Sequence, residues 1–451
     1  MTRTRFAPSP TGFLHIGGLR TAAYSYALAK HFGGEFLLRI EDTDQQREVP
    51  GAAAKLFEIL KIFGLNWDGE PIVQSQRAKE GVYLKAAEKL VSEGKAFYCQ
   101  CSGRDAKHEG YSTVLRDPCR DLHLTSGAIK IRIPDGEVVS YRDYVQNKDI
   151  SWKSDIVPDT VLLKSVELGQ LPTYHLAAVI DDLDSGITHV LRGHDWQPST
   201  PVHLYVYKFL DRQRPEIGHL TDILDPEGGK LSKRKGNVSC EQFLHDGYLT
   251  EAIFNFVILL GWAPKDNKEL FSLDGFVEGF DPRGFQKANP VFTTQKLDWF
   301  NGHYLRQKSD TELVQLVKPF VKTEITEQKL VQILPLIKDR LVKLTDFNSL
   351  ASFFFSRPLY SKELWPSPEN SVSHLTEALA VLTESDWEKS AIDTSLLSRI
   401  DSLGWKKGDF FMSLRVAICG SRFTPPLSDT MLVIGRQESL DRIGKSLETL
   451  A

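Results

Sequence analysis

Residues 6–18, FAPSPTGFLHIGG, constrain this chain more tightly than any other stretch. The run that leads into it, TRTRFA (2–7), has the extended character of a short strand, which Pro8, Pro10 and Gly12 end by forcing a loop. Beyond Gly17 and Gly18, Leu19, Ala22, Ala23, Tyr26 and Ala27 recur at helical spacing. A strand, a tight loop and a helix N-terminus in succession make a place for a phosphate. There the first N–H groups lack partners and the helix dipole favours negative charge.

The alternation continues. EFLLRIED, 35–42, reads as a buried strand ending in carboxylates, and Pro50-Gly51 opens a helix whose Leu56, Ile59, Leu60 and Phe63 form one stripe. A further helix is expected from about Arg77 to Glu93, stopped by Gly94. Strand–helix–strand–helix order predicts an α/β fold, a parallel sheet covered by helices. Residues 97–170 break the rhythm with polar segments and short β-like runs such as AIKIRI, and read as an insertion. The α/β pattern resumes at LPTYHLAAVIDDLDSGITHVLRGHDW, 171–196, and a basic loop, GGKLSKRKGNVS, follows at 228–239. From about residue 305 the chain reads helical, with Leu313, Leu316, Val317 and Phe320 on one stripe and Leu330, Ile333, Leu334, Ile337 and Leu341 on another.

A chain of 451 residues has room for ~3 domains. Its formal net charge of −4 gives no global pull toward nucleic acid, so a polyanion must be held by local basic patches. Five cysteines make no disulfide framework and suit a reducing compartment. No apolar stretch follows Arg3 and Arg5 as in a signal peptide, and FNFVILLGW, 254–262, is too short to span a bilayer. A cytoplasmic protein with no membrane partner is expected.

PSPTGFLHIGG, RIEDTD (39–44), LPTYHLA (171–177) and KLSKR (230–234) together resemble the glutamyl-tRNA synthetases, which are class I aminoacyl-tRNA synthetases. QSQR (74–77), GYLTEAIFNFVILLGW (247–262), LDWFNGHYLR (297–306), LRVAICGS and PPLSD extend the resemblance, in order, along nearly the whole chain. A lone histidine before two glycines is an ordinary turn residue, and a short run of cations an ordinary solvated face. Their conjunction in this order is what carries the resemblance.

The resemblance implies a Rossmann-like catalytic domain at 1–96 and 171–227, with an inserted acceptor-binding domain at 97–170. A stem-contact region with the KLSKR loop would follow at 228–309, and an all-α anticodon-binding domain of the bacterial type at 310–451. It implies ATP-dependent attachment of L-glutamate to tRNA(Glu) through a glutamyl-adenylate, with magnesium on the triphosphate, by a monomer. The glutaminyl enzymes, the paralogues that glutamylate a modified tRNA base, and a non-catalytic RNA-binding derivative are the other readings. Arg192, the helical C-terminal part and the presence of His15 and Lys233 weigh against them in turn.

In-line attack on the α-phosphorus of ATP crowds negative charge onto the phosphate, so positioning and cationic donors supply the rate. HIGG and KLSKR stand where the family's HIGH and KMSKS signatures fall. His15 is placed to donate to phosphate oxygens, and Gly17 and Gly18 leave room for the nucleotide. Lys230, Ser232, Lys233 and Arg234 belong to a mobile flap, in which the resemblance makes Lys233 the ATP-contacting member. Free glutamate carries one ammonium and two carboxylates, so its site needs one acidic and two cationic partners. Glu41 suits the ammonium and Arg5 the α-carboxylate, with Ala7, Ser9 and Tyr174 completing the pocket. Arg192 falls where the family places the arginine that pairs with the side-chain carboxylate. A guanidinium fork holds a carboxylate bidentately and is left uncompensated against a neutral amide. His194 and the Ser-Thr-Pro at 199–201 depart from the family's usual residues.

Cys99, Cys101 and Cys119 form the remaining constellation. Some members of the family use such a set for a structural zinc, which needs a fourth ligand. Asp121 is the expected one, with His123 and Tyr111 as other candidates, and buried zinc-free thiols are the alternative reading.

Overall fold

The computed structural model describes residues 1–44, 48–101, 115–231 and 238–450, with the side chain of residue 362 left aside. The chain divides into two compact units, one of Met1–Leu244 with Ile253–Thr294, the other of His245–Ala252 with Gln295–Ala451.

The first unit is built on parallel strands. β1 (Arg3–Phe6) pairs with β2 (Glu35–Ile40), and β2 with β3 (Ile72–Val73). On the other side of β1, the Thr188 N–H donates to the Arg3 carbonyl at 2.9 Å, bringing in β9 (His189–Gly193) and its parallel neighbour β10 (Glu216–Leu220). The spatial order β3-β2-β1-β9-β10 reverses direction between β1 and β9. In doubly wound sheets ligands bind at that crevice, beyond the carboxyl ends of the strands.

Helices α1 (Ile16–His31), α2 (Ala52–Ile62), α3 (Gln74–Lys79), α4 (Val82–Ser92), α5 (Tyr174–Asp184) and α6 (Thr200–Phe209) accompany these strands. The single helix expected over 77–93 is two: Gly81, at φ 76°, takes the left-handed conformation that breaks the run and starts α4.

The inserted residues form β4 (Ala96–Cys99), β5 (Ala128–Ile131) and β8 (Val161–Leu163) in one antiparallel sheet, and a hairpin of β6 (Val138–Asp143) and β7 (Lys148–Lys153). Phe97 and Cys99 of β4 form a small cluster with Cys119, and the rest of the sheet packs back on the helices of the parallel sheet. Ile129, Ile131 and Leu163 pack with Tyr83 and Leu90 of α4, Leu176 and Val179 of α5 and Tyr205 of α6.

In the second unit the described residues form helices and no strand. Ser309 and Glu312 make a capping box that starts Asp310–Val317, and Leu330, Ile333, Leu334, Ile337 and Leu341 are buried along one stripe as their spacing requires. No helix among the described residues is long and apolar enough to cross a membrane.

Candidate active site

A cleft of about 330 Å³ opens at the carboxyl end of β1. Arg5, Ala7, Ser9, His15, Gly18, Glu41, Tyr174 and Arg192, which the sequence reading assigned to two substrates, all line it.

His15 caps α1: its Nδ1 accepts the Gly17 N–H at 2.9 Å, so a neutral ring carries its proton on Nε2. The glycines answer first to packing. A Cβ on Gly18 would come within 2.8 Å of Leu14, and one on Gly17 within 3.2 Å of the His15 ring. The loop is zipped to a distant segment, since Ile16 N donates to the Val238 carbonyl and Cys240 N to that of Leu14. Fold topology thereby joins the residues just past KLSKR to HIGG.

Of the flap residues, Ser232, Lys233 and Arg234 lie outside the described residues. Lys230 is described, and it is paired. Its Nζ is held by Asp195 and, at 2.9 Å, by Asp222, and these carboxylates raise its pKa against the opposing effect of burial.

Around Arg5 the charges interlock. Asp182, from α5, accepts Arg5 Nε at 3.0 Å and Arg39 Nη1 at 2.5 Å through one oxygen, and Arg39 Nη2 donates to Glu41 Oε1 at 3.0 Å. Its neighbour Asp181 takes Gln74, Arg77 and Tyr83. Burial would raise the Asp182 carboxyl, but the two guanidiniums hold it below its ordinary range. For Glu41 burial prevails over Arg39 and Arg5, and its pKa stands above the ordinary value. Glu41 Oε1 is occupied, which leaves Oε2 for a ligand's ammonium.

Arg192 sits differently. It is 6 % exposed, and its Nε donates to His219 Nε2 at 3.0 Å. Nη1 meets the Tyr174 hydroxyl and His203 Nδ1, both at 3.1 Å, and Nη2 donates to Thr200 Oγ1 at 2.8 Å. Burial, reinforced by this cation, drives His203 far below the ordinary imidazole range and His219 to about 4, so both are neutral acceptors at neutral pH. Among the described residues no carboxylate pairs with Arg192. A buried guanidinium held only by neutral groups lacks the counter-charge that buried ions ordinarily have. Trp196 roofs the cleft, its ring 4.0 Å from that of Tyr174.

The sequence reading did not assign Arg39, Asp182, Thr200, His203, His219 or Trp196. Arg39 inside an apolar strand and Asp181-Asp182 inside an apolar helix were the visible signals, since such charges stay buried only when paired.

The cysteine cluster lies apart. The sulfurs of Cys99, Cys101 and Cys119 and a carboxylate oxygen all lie within 4.8 Å of one another, and that carboxylate is Asp117, not Asp121. Asp117 precedes a short 3₁₀ turn, where its Oδ1 accepts the Cys119 N–H at 2.8 Å and its Oδ2 meets the Cys99 thiol at 3.4 Å. Asp121 is on the far side of that turn, 82 % exposed and paired with Arg132 at 2.8 Å. His123 is exposed and outside the cluster, and Tyr111 lies outside the described residues. Cys101 and Cys119 sulfurs are 3.4 Å apart, and burial pushes the Cys99 thiol up to about 12.

The family model for class I tRNA synthetases (E and Q), catalytic domain, covers residues 1–299, and an anticodon binding domain model covers 312–447. A glutamate–tRNA ligase of Dehalococcoides mccartyi is 38% identical over 100% of this chain and 98% of its own, and one of Treponema denticola 35% over 99% of each. Among solved structures, a glutamate tRNA ligase from Elizabethkingia meningosepticum in complex with its amino acid superposes with a TM-score of 0.90 at 32% identity, covering 100% of both chains. A glutamate–tRNA synthetase of Elizabethkingia anophelis gives 0.89 at 31%, over 99% of each.

Proposed function

The chain belongs to the class I tRNA synthetases of the E and Q type, ligating glutamate to tRNA at the expense of ATP, and from that premise we propose how its residues do so. Glutamate enters the cleft with its side-chain carboxylate on Arg192, its α-carboxylate on Arg5 and its ammonium on Glu41 Oε2. Ser9 and Tyr174 complete the hydrogen bonding, and Ala7 forms the floor. Arg39 and Asp182 hold Glu41 and Arg5 in place.

ATP, with its magnesium, lies across the first loop, where His15 offers Nε2–H to the phosphates and Gly18 allows close approach. Lys233 and its flap neighbours Ser232 and Arg234 then supply donors to the pentavalent α-phosphate. The glutamate α-carboxylate oxygen attacks the α-phosphorus and pyrophosphate leaves. A terminal ribose hydroxyl of tRNA next attacks the acyl carbon and AMP leaves. Lys230, pinned by Asp195 and Asp222, anchors the flap.

Residues 1–96 and 171–227 form the catalytic domain, 97–170 guide the acceptor end, 228–309 contact the stem, and 310–451 bind the anticodon region of tRNA(Glu). The enzyme acts as a cytoplasmic monomer, a reading that its five free cysteines fit. A structural zinc would be held by Cys99, Cys101, Cys119 and Asp117. Tetrahedral thiolates at ~2.3 Å from zinc stand ~3.8 Å apart, close to the spacing here. The metal would supply cross-linking of β4 to the 3₁₀ turn and no step of the reaction. Metal analysis of the purified chain against Asp117→Ala tests it, and equal zinc in both removes Asp117 from the ligand set.

The observation that carries the glutamate reading is Arg192, buried among neutral acceptors in the same cleft as Arg5 and Glu41. Aminoacylation of purified isoacceptors, with each amino acid offered separately and tRNA present throughout, tests it. Charging with glutamate and not glutamine is expected, and charging with glutamine alone overturns the assignment.

A further inference from the structure

His219 stands directly opposite Arg192 in the parallel β9–β10 register. Its Nε2 can accept the Arg192 Nε–H only if the ring proton is on Nδ1, because a neutral imidazole has one donor and one acceptor. Nδ1 faces Asp143 Oδ2 at 2.7 Å, and both side chains are fully buried. Asp143 ends β6, and its other oxygen is already taken by its own turn, accepting Val145 N at 3.0 Å and Gln146 N at 2.8 Å. The Tyr141 hydroxyl, 2.9 Å from Oδ2, closes the same carboxylate from above. The turn is stitched to β10, with Tyr144 N donating to the Ile217 carbonyl at 2.9 Å and Gln146 Nε2 to that of His219 at 3.2 Å. An inserted hairpin thus delivers a fixed carboxylate to the back of the anion site.

We propose that Asp143 is a positioning residue for glutamate selection. It dictates the tautomer of His219, and His219 in that tautomer holds the Arg192 fork facing the cleft. The inference rests on the reading of Arg192 given above. Asp143 touches no substrate. Its charge is two hydrogen bonds away from the cation, so it orients Arg192 without competing as a direct ion-pair partner for the incoming carboxylate. The neutral acceptors on Nη1 and Nη2 complete the cage, and Thr200, which accepts from Nη2, also lies 3.3 Å from His219 Nε2.

Asp143→Asn separates this role from a structural one. The amide oxygen keeps the turn N–H groups, and the NH₂ then faces His219. It makes Nδ1 an acceptor and places a proton on Nε2 against the Arg192 N–H. In the full-length enzyme, charging tRNA at saturating ATP, the KM for glutamate is expected to rise by about tenfold or more, as for one unsatisfied buried pair. The KM for ATP and kcat at saturating glutamate stay near wild type. Adding His219→Gln, whose carbonyl reaches the place of Nε2 and accepts from Arg192 without help from residue 143, is expected to restore the glutamate KM.

A folded Asp143→Asn enzyme with unchanged glutamate KM overturns the proposal, as does a parallel loss in glutamate KM, ATP KM and kcat that His219→Gln does not rescue. Should Asp143→Asn fail to fold, His219→Gln and His219→Leu decide it, since equal glutamate KM values for those two remove the acceptor role. Arg192→Ala is run beside them. If it keeps the wild-type glutamate KM, the reading of Arg192 itself fails. If it loses glutamate while Asp143→Asn does not, only the relay fails.

Discussion

The two arginine sites of the cleft are solved in opposite ways. At Arg5 every charge has a counter-charge: Asp182 serves two guanidiniums, Arg39 serves three carboxylates, and the group is held together before any ligand arrives. At Arg192 the guanidinium is equally buried but meets only imidazoles and hydroxyls. A self-compensated network fixes geometry, and an uncompensated cation stores attraction for a ligand. Selectivity by charge belongs to the second kind of site, because a neutral amide leaves the cation as costly as before.

The contrast is broken most severely at Asp182. Asp182→Ala leaves the buried Arg5 guanidinium without its carboxylate and takes one from Arg39, and is expected to cost about 3–5 kcal/mol of stability. Thermal or urea unfolding measures it, and a loss no larger than for a surface aspartate would mean that the network does not hold the site together. Arg192→Ala is expected to spare the fold by comparison and to lower kcat/KM for glutamate by about a hundredfold or more, the scale of a lost buried charge partner. Discrimination against glutamine should fall with it. Steady-state charging with both amino acids reads this, and intact discrimination moves the selector elsewhere.

The smallest effect sharpens the neutral side of the comparison. Burial lowers His219 and His175 to about 4, against ~6.5 in an unfolded chain. Below pH ~6.5 the unfolded state takes up protons that the folded state refuses. The stability these histidines permit is therefore complete above that pH and drains away as pH falls to about 4. The thermal midpoint should decline across that window, and less steeply in His175→Leu, whose ring lies 5.4 Å from that of His203 and whose buried Nδ1 has no hydrogen-bond partner among the described residues. A midpoint indifferent to pH there contradicts the neutral cage.

The strand–loop–helix opening, the parallel sheet, the insertion and the helical C-terminal unit were legible because each rests on local chemistry: turn residues, caps, and apolar spacing of 2.0 or 3.6. The residue types that line the cleft were legible for the same reason, since Arg5, Ser9, His15 and Glu41 lie within or beside the first two strands and their loops. The break at Gly81 was missed because its left-handed backbone interrupts a helical run without altering the apolar pattern.

By itself, then, the sequence determined which elements form and which charges are available to a ligand. Only the tertiary structure decided how those charges are spent. Asp182 reaches Arg39 across 143 positions and Arg5 across 177, and no local periodicity reports such a contact. The same holds over short distances when a turn intervenes. Asp117 and Asp121 flank one 3₁₀ turn two residues either side of Cys119, yet only the fold points the first at the thiols and the second at solvent. Whether a buried charge binds substrate or props its neighbour depends on what stands opposite it, and in this fold that is set by strand register and by the packing of distant elements.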